Sequence, residues 1–200
     1  MAKANWVVVT PPSGSGNATV NVSSAAPHTG RKARTTVLTW KAASVDDQVR
    51  NVSQAGKPEY VDIADTAASD QSGQVVTIQG VSNSAKLTFS LGSGNLQISL
   101  PAYYTANSAQ TSNGAAISGD PGAVAEYNFS IAVTVPANAG TAALTRQIIV
   151  TNEAGQKDTC TLTLAAGNAY LEVTLGDIEL GWEGKPVTVQ VSSNTTWEIV

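Results

Sequence analysis

The chain has 200 residues, of which 42% are hydrophobic and only 13% are charged, and its formal net charge at pH 7 is −4. A globular protein usually has about 25% charged residues, so this weakly charged surface suits a protein that is largely covered in an assembly. Lysine and arginine do not cluster beyond the short group Arg31, Lys32 and Arg34. Composition therefore argues against nucleic acid as a partner.

The sequence also bears on export, membrane insertion and disulfide formation. The N-terminus has no charged region followed by an apolar core, and no window approaches the roughly 20 apolar residues of a membrane span. We therefore expect neither a standard export signal nor membrane insertion. Cys160 is the single cysteine, so a disulfide within the chain is excluded, and its alternating neighbours predict a buried small side chain.

Residues 1–57 show short β-branched and apolar runs and no helical period. The predicted strands are 6–9, 19–22, 36–40 and 49–54. Prolines and glycines between residues 11 and 16 predict a turn after the first strand. Three or four strands with no facing sheet leave one face in water, so we expect this segment to be incomplete by itself.

Residues 58–170 contain enough strands for a whole domain. The predicted strands are 60–63, 75–78, 87–91, 96–100, 127–135, 147–151 and 159–164. The run 127–135 is the clearest, because apolar residues occupy every second position. About seven short strands separated by turn residues predict an all-β, immunoglobulin-like β-sandwich.

A polar stretch of small residues interrupts this domain between residues 101 and 124. Long loops without secondary structure are uncommon in compact domains and are often functional. Tyr103 and Tyr104 are the aromatic residues of this stretch. Three roles fit them: stacking on a sugar ring, packing on a neighbouring subunit, or holding the loop on its own domain.

Residues 171–200 repeat the opening of the central domain, and their alternating side chains predict strands at 171–175, 178–180, 187–191 and 197–200. Residues 184–197 restate residues 73–86 at a constant offset of 111, with identical Gly, Val, Thr, Gln, Ser and Asn. Gly56 and Gly167 are related by the same offset. The sequence thus predicts one complete sandwich, 58–170, flanked by two complementary half-domains: a closing half at 1–57 and an opening half at 171–200.

These segments also resemble a known family. Trp6, the turn and strand of residues 12–22, and the runs 34–39 and 52–56 look like the second half of a BACON domain. Ser193, Asn194 and Trp197 match a strand that comes earlier in that family, whereas residues 58–170 match more loosely because Lys86 stands where the repeat has Trp197.

The BACON module is immunoglobulin-like and is found in surface proteins and glycoside hydrolases of gut Bacteroidetes, and in structural proteins of their phages. Its name implies carbohydrate binding. For a chain of bare modules without an attached enzyme, the resemblance implies a virion component.

No catalytic or metal-binding pattern is evident. His28 is the single histidine, so no imidazole cluster can form for a metal site or a catalytic triad. Asp62, Asp65 and Asp70 lack the glycine and terminal glutamate of a calcium loop. We expect a non-enzymatic protein without metal or cofactor.

The expected function is head-to-tail assembly, with residues 171–200 of one subunit completing residues 1–57 of the next. Such a protein would belong to a phage virion, as capsid decoration or tail, and would be made in the host cytoplasm. Its expected partners are copies of itself and other virion proteins. The predicted subunit interface consists of Trp6, Val8, Val20, Val22, Val187, Val189, Val191 and Trp197.

Three alternatives remain at this level. The chain could be a carbohydrate-binding module for host or mucin glycans at a bacterial cell surface, with Trp40, Tyr103, Tyr104 and Trp182 as candidate aromatics. The two half-domains could close on each other within one chain. The sequence could also be one piece of a longer tandem array.

Overall fold

The computed structural model describes residues 3–174 and 176–200. These residues form fifteen β-strands and one 3-10 turn, Pro121–Ala123, with no α-helix among them. The predicted all-β class is therefore confirmed. No helix in the described ranges is long and apolar enough to cross a membrane.

The first segment consists of two antiparallel hairpins. β1 (Val7–Thr10) pairs with β2 (Asn21–Ser24), and β3 (Arg34–Trp40) pairs with β4 (Gln48–Gln54). Each pair is a two-stranded sheet of its own.

The two hairpins of this segment face each other. The Arg34 guanidinium lies 4.6 Å from the centre of the Trp6 ring, and Gln54 Nε2 donates to Ser24 Oγ at 3.1 Å. Val7 and Leu38 are the buried large apolar residues of the segment. Two such residues make a very small core for four strands.

The central segment is a two-sheet sandwich of nine strands. They are β5 (Val61–Ile63), β6 (Thr66–Ser69), β7 (Val75–Ser82), β8 (Leu87–Gly94), β9 (Tyr103–Ala106), β10 (Ala109–Ser112), β11 (Tyr127–Thr134), β12 (Leu144–Asn152) and β13 (Lys157–Leu164). One sheet has the order β10-β9-β11-β7-β5, and the other has the order β6-β13-β12-β8. The chain passes from the first sheet to the second between β5 and β6, and β6 lies parallel to β13.

The hydrophobic core lies between these two sheets. On β11 the buried side chains are Tyr127, Phe129, Ile131 and Val133, as the two-residue period predicts. The facing sheet contributes fully buried side chains, namely Ile148, Val150, Cys160, Leu162 and Leu164. Alternation along β11 and β13 thus produces one closed core, and the structure buries Cys160 as expected.

The central loop is more structured than the sequence predicts. Residues 103–112 form the hairpin β9–β10, which extends the five-stranded sheet past β11. The predicted strand at 96–100 is absent, although Leu96 is fully buried. The sequence did not predict β9 and β10, because their Thr, Ser, Ala and Gln residues give only a weak alternation of apolar and polar side chains.

The last segment contains one short hairpin. β14 (Leu171–Val173) pairs antiparallel with β15 (Val191–Ser193), and the Thr174 amide donates to the Gln190 carbonyl at 3.0 Å. The sequence also predicts strands at 178–180, 187–191 and 197–200, but of these residues the structure places only Val191 in a strand. The predicted strand 171–175 ends at Leu175, which lies outside the described residues.

Candidate assembly interface

Exposed large apolar side chains concentrate in the two flanking segments. In the first segment they are Val8, Val22, Trp40, Val45 and Val49. In the last they are Leu171, Val173, Ile178, Leu180, Trp182, Val187, Trp197, Ile199 and Val200. The larger central sandwich exposes Val75, Leu91, Tyr103, Val124 and Tyr170. Concentrated exposed apolar side chains are a feature of interaction sites, so both flanking segments are candidate interaction surfaces.

The predicted interface residues lie on these two surfaces. Val8, Val22, Val187 and Trp197 are 40–50% exposed. The other four are half-buried, namely Trp6, Val20, Val189 and Val191. Within the described residues, no strand pair or hydrogen bond joins the first four-strand segment to the β14–β15 hairpin. The structure therefore separates the predicted interface into two groups.

The β14–β15 hairpin copies the pairing of β5 with β7. Val61 lies opposite Ser82 and Ile63 opposite Gly80. In the last segment, Leu171 lies opposite Ser193 and Val173 opposite Val191. The positions shift by 110 residues on one strand and by 111 on the other. The last segment therefore has the geometry of the opening of a sandwich.

The β3–β4 hairpin copies the pairing of β12 with β13. Arg34 lies opposite Gln54, and Leu144 lies opposite Leu164, so both members of the pair shift by 110 residues. The first segment therefore has the geometry of the closing part of a sandwich.

The β3–β4 hairpin lacks neighbours that its central counterpart has. In the central sandwich, β12 also pairs with β8, and β13 also pairs with β6. In the first segment, β3 and β4 pair with each other alone among the described residues. The counterpart of β6 falls at residues 176–180 of the last segment, whereas the counterpart of β8 would begin only at residue 198.

A buried asparagine connects the first segment to the central sandwich. Asn83 is fully buried, and its Oδ1 accepts a hydrogen bond from the Tyr60 amide at 2.9 Å. Its Nδ2 lies 3.2–3.3 Å from the carbonyl oxygens of Thr29, Lys57 and Pro58, to which it can donate. One side chain thus holds the end of the first segment, the linker and β7 together.

Asn194 repeats this arrangement at the other end of the sandwich. Its Oδ1 accepts from the Tyr170 amide at 3.0 Å, and its Nδ2 donates to the carbonyls of Ala139 and Asn168 at 2.8 and 2.9 Å. Asn194 is 111 positions after Asn83. The same junction therefore links the first segment to the sandwich and the sandwich to the last segment.

The two junctions lie at opposite ends of the central sandwich. β11 begins with Tyr127 opposite Ser82, next to Asn83, and ends with Thr134 opposite Val75. Ala139, which binds Asn194, follows the far end of β11. Eight residues of strand separate the two ends, which is about 25 Å at 3.3 Å per residue.

An ion pair strengthens the first junction. Arg31 donates to the Asp120 carboxylate at 2.5 Å and to the Asn83 carbonyl at 3.0 Å. The hydrogen bond from Arg31 holds the pKa of Asp120 below its usual value. Both side chains are partly exposed, at 17% and 32%, so solvent weakens the pair.

This ion pair predicts that the first junction loosens in acid. A lowered folded-state pKa contributes stability above the unfolded value of about 3.9, and this contribution is lost as the pH falls through the folded value. We expect faster proteolysis of residues 3–57 below about pH 4. Asp120→Asn should cleave faster already at neutral pH and respond less to acid; an unchanged acid response in that variant would contradict this role of Asp120.

The structure corrects the prediction for Tyr104. Its side chain is 3% exposed and its ring centre lies 5.0 Å from that of Phe89, so it belongs to the core and cannot contact a glycan or a partner. Burial also raises the pKa of its phenol. Tyr103, the preceding residue on β9, points outward and is 52% exposed.

The other candidate aromatics lie in the flanking segments. Trp182 is 95% exposed and Trp40 is 40% exposed. Trp40 lines a groove of about 550 Å³ between the first two hairpins, together with Val9, Leu38 and Lys41. All of the residues that line this groove belong to the first segment.

The described residues include neither a cluster of metal ligands nor an activated cysteine. Residues 3–174 and 176–200 hold no group of three His, Cys, Asp or Glu side chains placed for a metal ion. Burial raises the pKa of the Cys160 thiol to about 11, so it is protonated at neutral pH and a poor nucleophile. Asp47 forms a surface ion pair with Lys41 at 2.9 Å.

Comparisons with known proteins leave the family open. No family model matches the chain, and no curated protein does. Among solved structures, one match is an endo-fucoidan hydrolase of glycoside hydrolase family 107, with a TM-score of 0.31 and 9% identity. The match covers 83% of this chain and 22% of the hydrolase, so the chain spans about a fifth of that enzyme. Similarity this low carries no functional argument.

Proposed function

We propose that this chain is a non-enzymatic structural protein that assembles head to tail by strand complementation. The last segment of one subunit completes the two hairpins of the first segment of the next. The supporting observation is that the two segments repeat different parts of the same sandwich, one its closing strands and the other its opening strands. In keeping with the BACON resemblance, we place the protein in a phage virion, as capsid decoration or tail.

The exposed apolar surface supports a stable contact. Burying one valine, leucine or isoleucine side chain contributes about 1.5–3 kcal/mol. The last segment exposes Val173, Ile178, Leu180, Val187 and Trp197 by 42–69%. Association costs roughly 4–15 kcal/mol, so several such residues must be buried together. Pairing of the last segment with the first segment of the next subunit would bury several of them together.

The position of the junctions favours pairing between subunits over closure within one chain. The two segments leave the sandwich at ends about 25 Å apart. Asn83 fixes the linker at Lys57, and Asn194 fixes it at Asn168, so neither linker has slack to bring the segments together. A contact of this kind uses different surfaces on the two partners, so it closes a ring or propagates as a filament.

Light scattering across a range of concentrations tests the proposal. The full-length chain should form species larger than its 20.5 kDa monomer. A variant that ends at Tyr170 lacks the donated strands and should remain monomeric at every concentration. A monodisperse full-length monomer would contradict the proposal.

Carbohydrate binding is the second candidate function, because Trp40 lines a groove and Tyr103 and Trp182 are exposed. Under the assembly proposal, a glycan array should give no signal with the full-length protein. Tyr103→Ala should change the free energy of unfolding by less than about 0.5 kcal/mol, because the side chain lies at the surface. Urea unfolding checks this value, and a glycan signal that Tyr103→Ala abolishes would favour the carbohydrate-binding role.

A further inference from the structure

The internal repeat also specifies how the donated strand pairs. Resting on the proposed function, we propose that residues 186–193 of one subunit pair antiparallel with the free edge of β2 of the next. Val189 then lies opposite Val20, and Val187 lies opposite Val22. This register makes the new pair a copy of β7 with β11 in the central sandwich.

The central sandwich supplies the template. β11 pairs with β9 on one edge and with β7 on the other. In the β7 pair, Ile131 lies opposite Ile78 and Val133 opposite Val76. All four side chains are buried, so this row is part of the core.

The donated strand is the counterpart of β7. Val187 and Val189 are 111 positions after Val76 and Ile78, inside the run of identical residues. Their placement does not rest on sequence alone, because Val191 and Ser193 pair with β14 in the register in which Gly80 and Ser82 pair with β5. The opposite edge of residues 186–193 is thus the one that β11 would occupy.

The receiving strand is the counterpart of β11. Val20 and Val22 are 111 positions before Ile131 and Val133 and have the same two-residue spacing. After β2 and after β11 the chain reaches a glycine, Gly30 or Gly140, whose carbonyl accepts a hydrogen bond from a backbone amide near a linker. Lys57 donates to Gly30 at 2.9 Å, and Gly167 donates to Gly140 at 2.7 Å. The connection to Gly30 is one residue longer, which accounts for the change of offset to 110 at β3.

Among the described residues β2 pairs with β1 alone, so its other edge is open to this partner. β1 occupies one edge of β2, with Val9 opposite Val22. Val22 is 43% exposed and Val187 is 42% exposed. In the proposed register, Val9, Val22 and Val187 form one continuous apolar row across three strands. Cross-strand pairs of β-branched residues are a favourable combination in sheets.

Paired cysteines on the outer face of the sheet test the register without disturbing the core. The proposed register places Asn21 opposite Thr188, the counterparts of Ala132 and Thr77, which lie opposite each other and are exposed. A chain with Asn21→Cys and Thr188→Cys should give a ladder of covalent oligomers after mild oxidation. In a chain with Asn21→Cys and Gln190→Cys the two cysteines are two residues out of register. This chain should give at least tenfold less covalent oligomer under the same oxidation.

Two controls calibrate this experiment. Thr77→Cys with Ala132→Cys should form a disulfide within one chain and no ladder, which shows that this pair geometry permits a bond. The unmodified chain should give no ladder, because Cys160 is fully buried.

The outcomes separate the register from the assembly itself. Oligomers in light scattering together with a ladder from the Asn21 and Thr188 pair support both. Oligomers with a stronger ladder from the Asn21 and Gln190 pair, or with no ladder, overturn the register and leave strand complementation standing. A disulfide without a ladder at all concentrations shows closure within one chain, and a monomer with no disulfide overturns the proposed function as well.

Discussion

Replacing Val187 and Val189 with aspartate should abolish assembly of the full-length chain. Both side chains belong to the strand that we place beside β2, where a carboxylate would be buried without a partner. An unpaired buried charge costs several kcal/mol, so we expect the dissociation constant to rise by more than about 100-fold. Analytical ultracentrifugation measures this change. Circular dichroism should show that the central sandwich remains folded, because neither residue contributes to its core.

A second variant, which blocks the receiving edge instead of the donated strand, tests whether these two surfaces bind each other. Val20→Asp with Val22→Asp should block the receiving edge, as the first variant blocks the donated strand. Each variant alone should be monomeric. Mixed together, they should form a dimer of two 20.5 kDa chains and nothing larger, because one intact donor meets one intact acceptor. A mixture that stays monomeric would show that these valines do not form a contact between subunits.

Asn83→Ala should cost about 3 kcal/mol or more of stability and release the first segment from the central sandwich. The Asn83 side chain is fully buried, accepts a hydrogen bond from the Tyr60 amide and lies within donating distance of three backbone carbonyls. Each buried polar group left without a partner costs about 1–3 kcal/mol. Urea unfolding measures the loss, and hydrogen exchange of residues 29–57 should increase.

Asn194→Ala is the internal control for this effect. Its side chain makes the corresponding hydrogen bonds to Ala139 and Asn168, but in a junction that is more exposed to solvent. Water can replace the lost partners there, so we expect a smaller loss in the monomer, about 1 kcal/mol. Equal losses in both variants would contradict the role assigned to the burial of Asn83.

The repeat predicted more of the structure than the strand patterns did. Glycine, Ser and Asn at an offset of 111 identified the last segment as the opening of a sandwich, and β14 and β15 pair in the corresponding register. The repeated asparagine also marked the junctions, because Asn83 and Asn194 each bind a backbone carbonyl of a linker. The hydrogen bonds of the junctions could not be predicted, since a repeated asparagine does not show which carbonyls its side chain binds.

The errors have physical causes. Adjacent residues of a strand point to opposite faces, so one of Tyr103 and Tyr104 had to face the core, and the sequence does not say which. Residues 178–180 and 197–200 alternate as strands do, yet they form none in the structure. A strand needs a neighbour for its backbone hydrogen bonds, and alternation alone does not provide one.

The most direct measurement is an electron cryomicroscopy structure of the assembled full-length chain at a resolution that shows side chains. We predict that residues 186–193 of one subunit lie beside β2 of its neighbour, with the Asn83 and Asn194 junctions alternating along the assembly. A self-contained monomer in which Trp6 and Trp197 of the same polypeptide pack against each other would contradict this account.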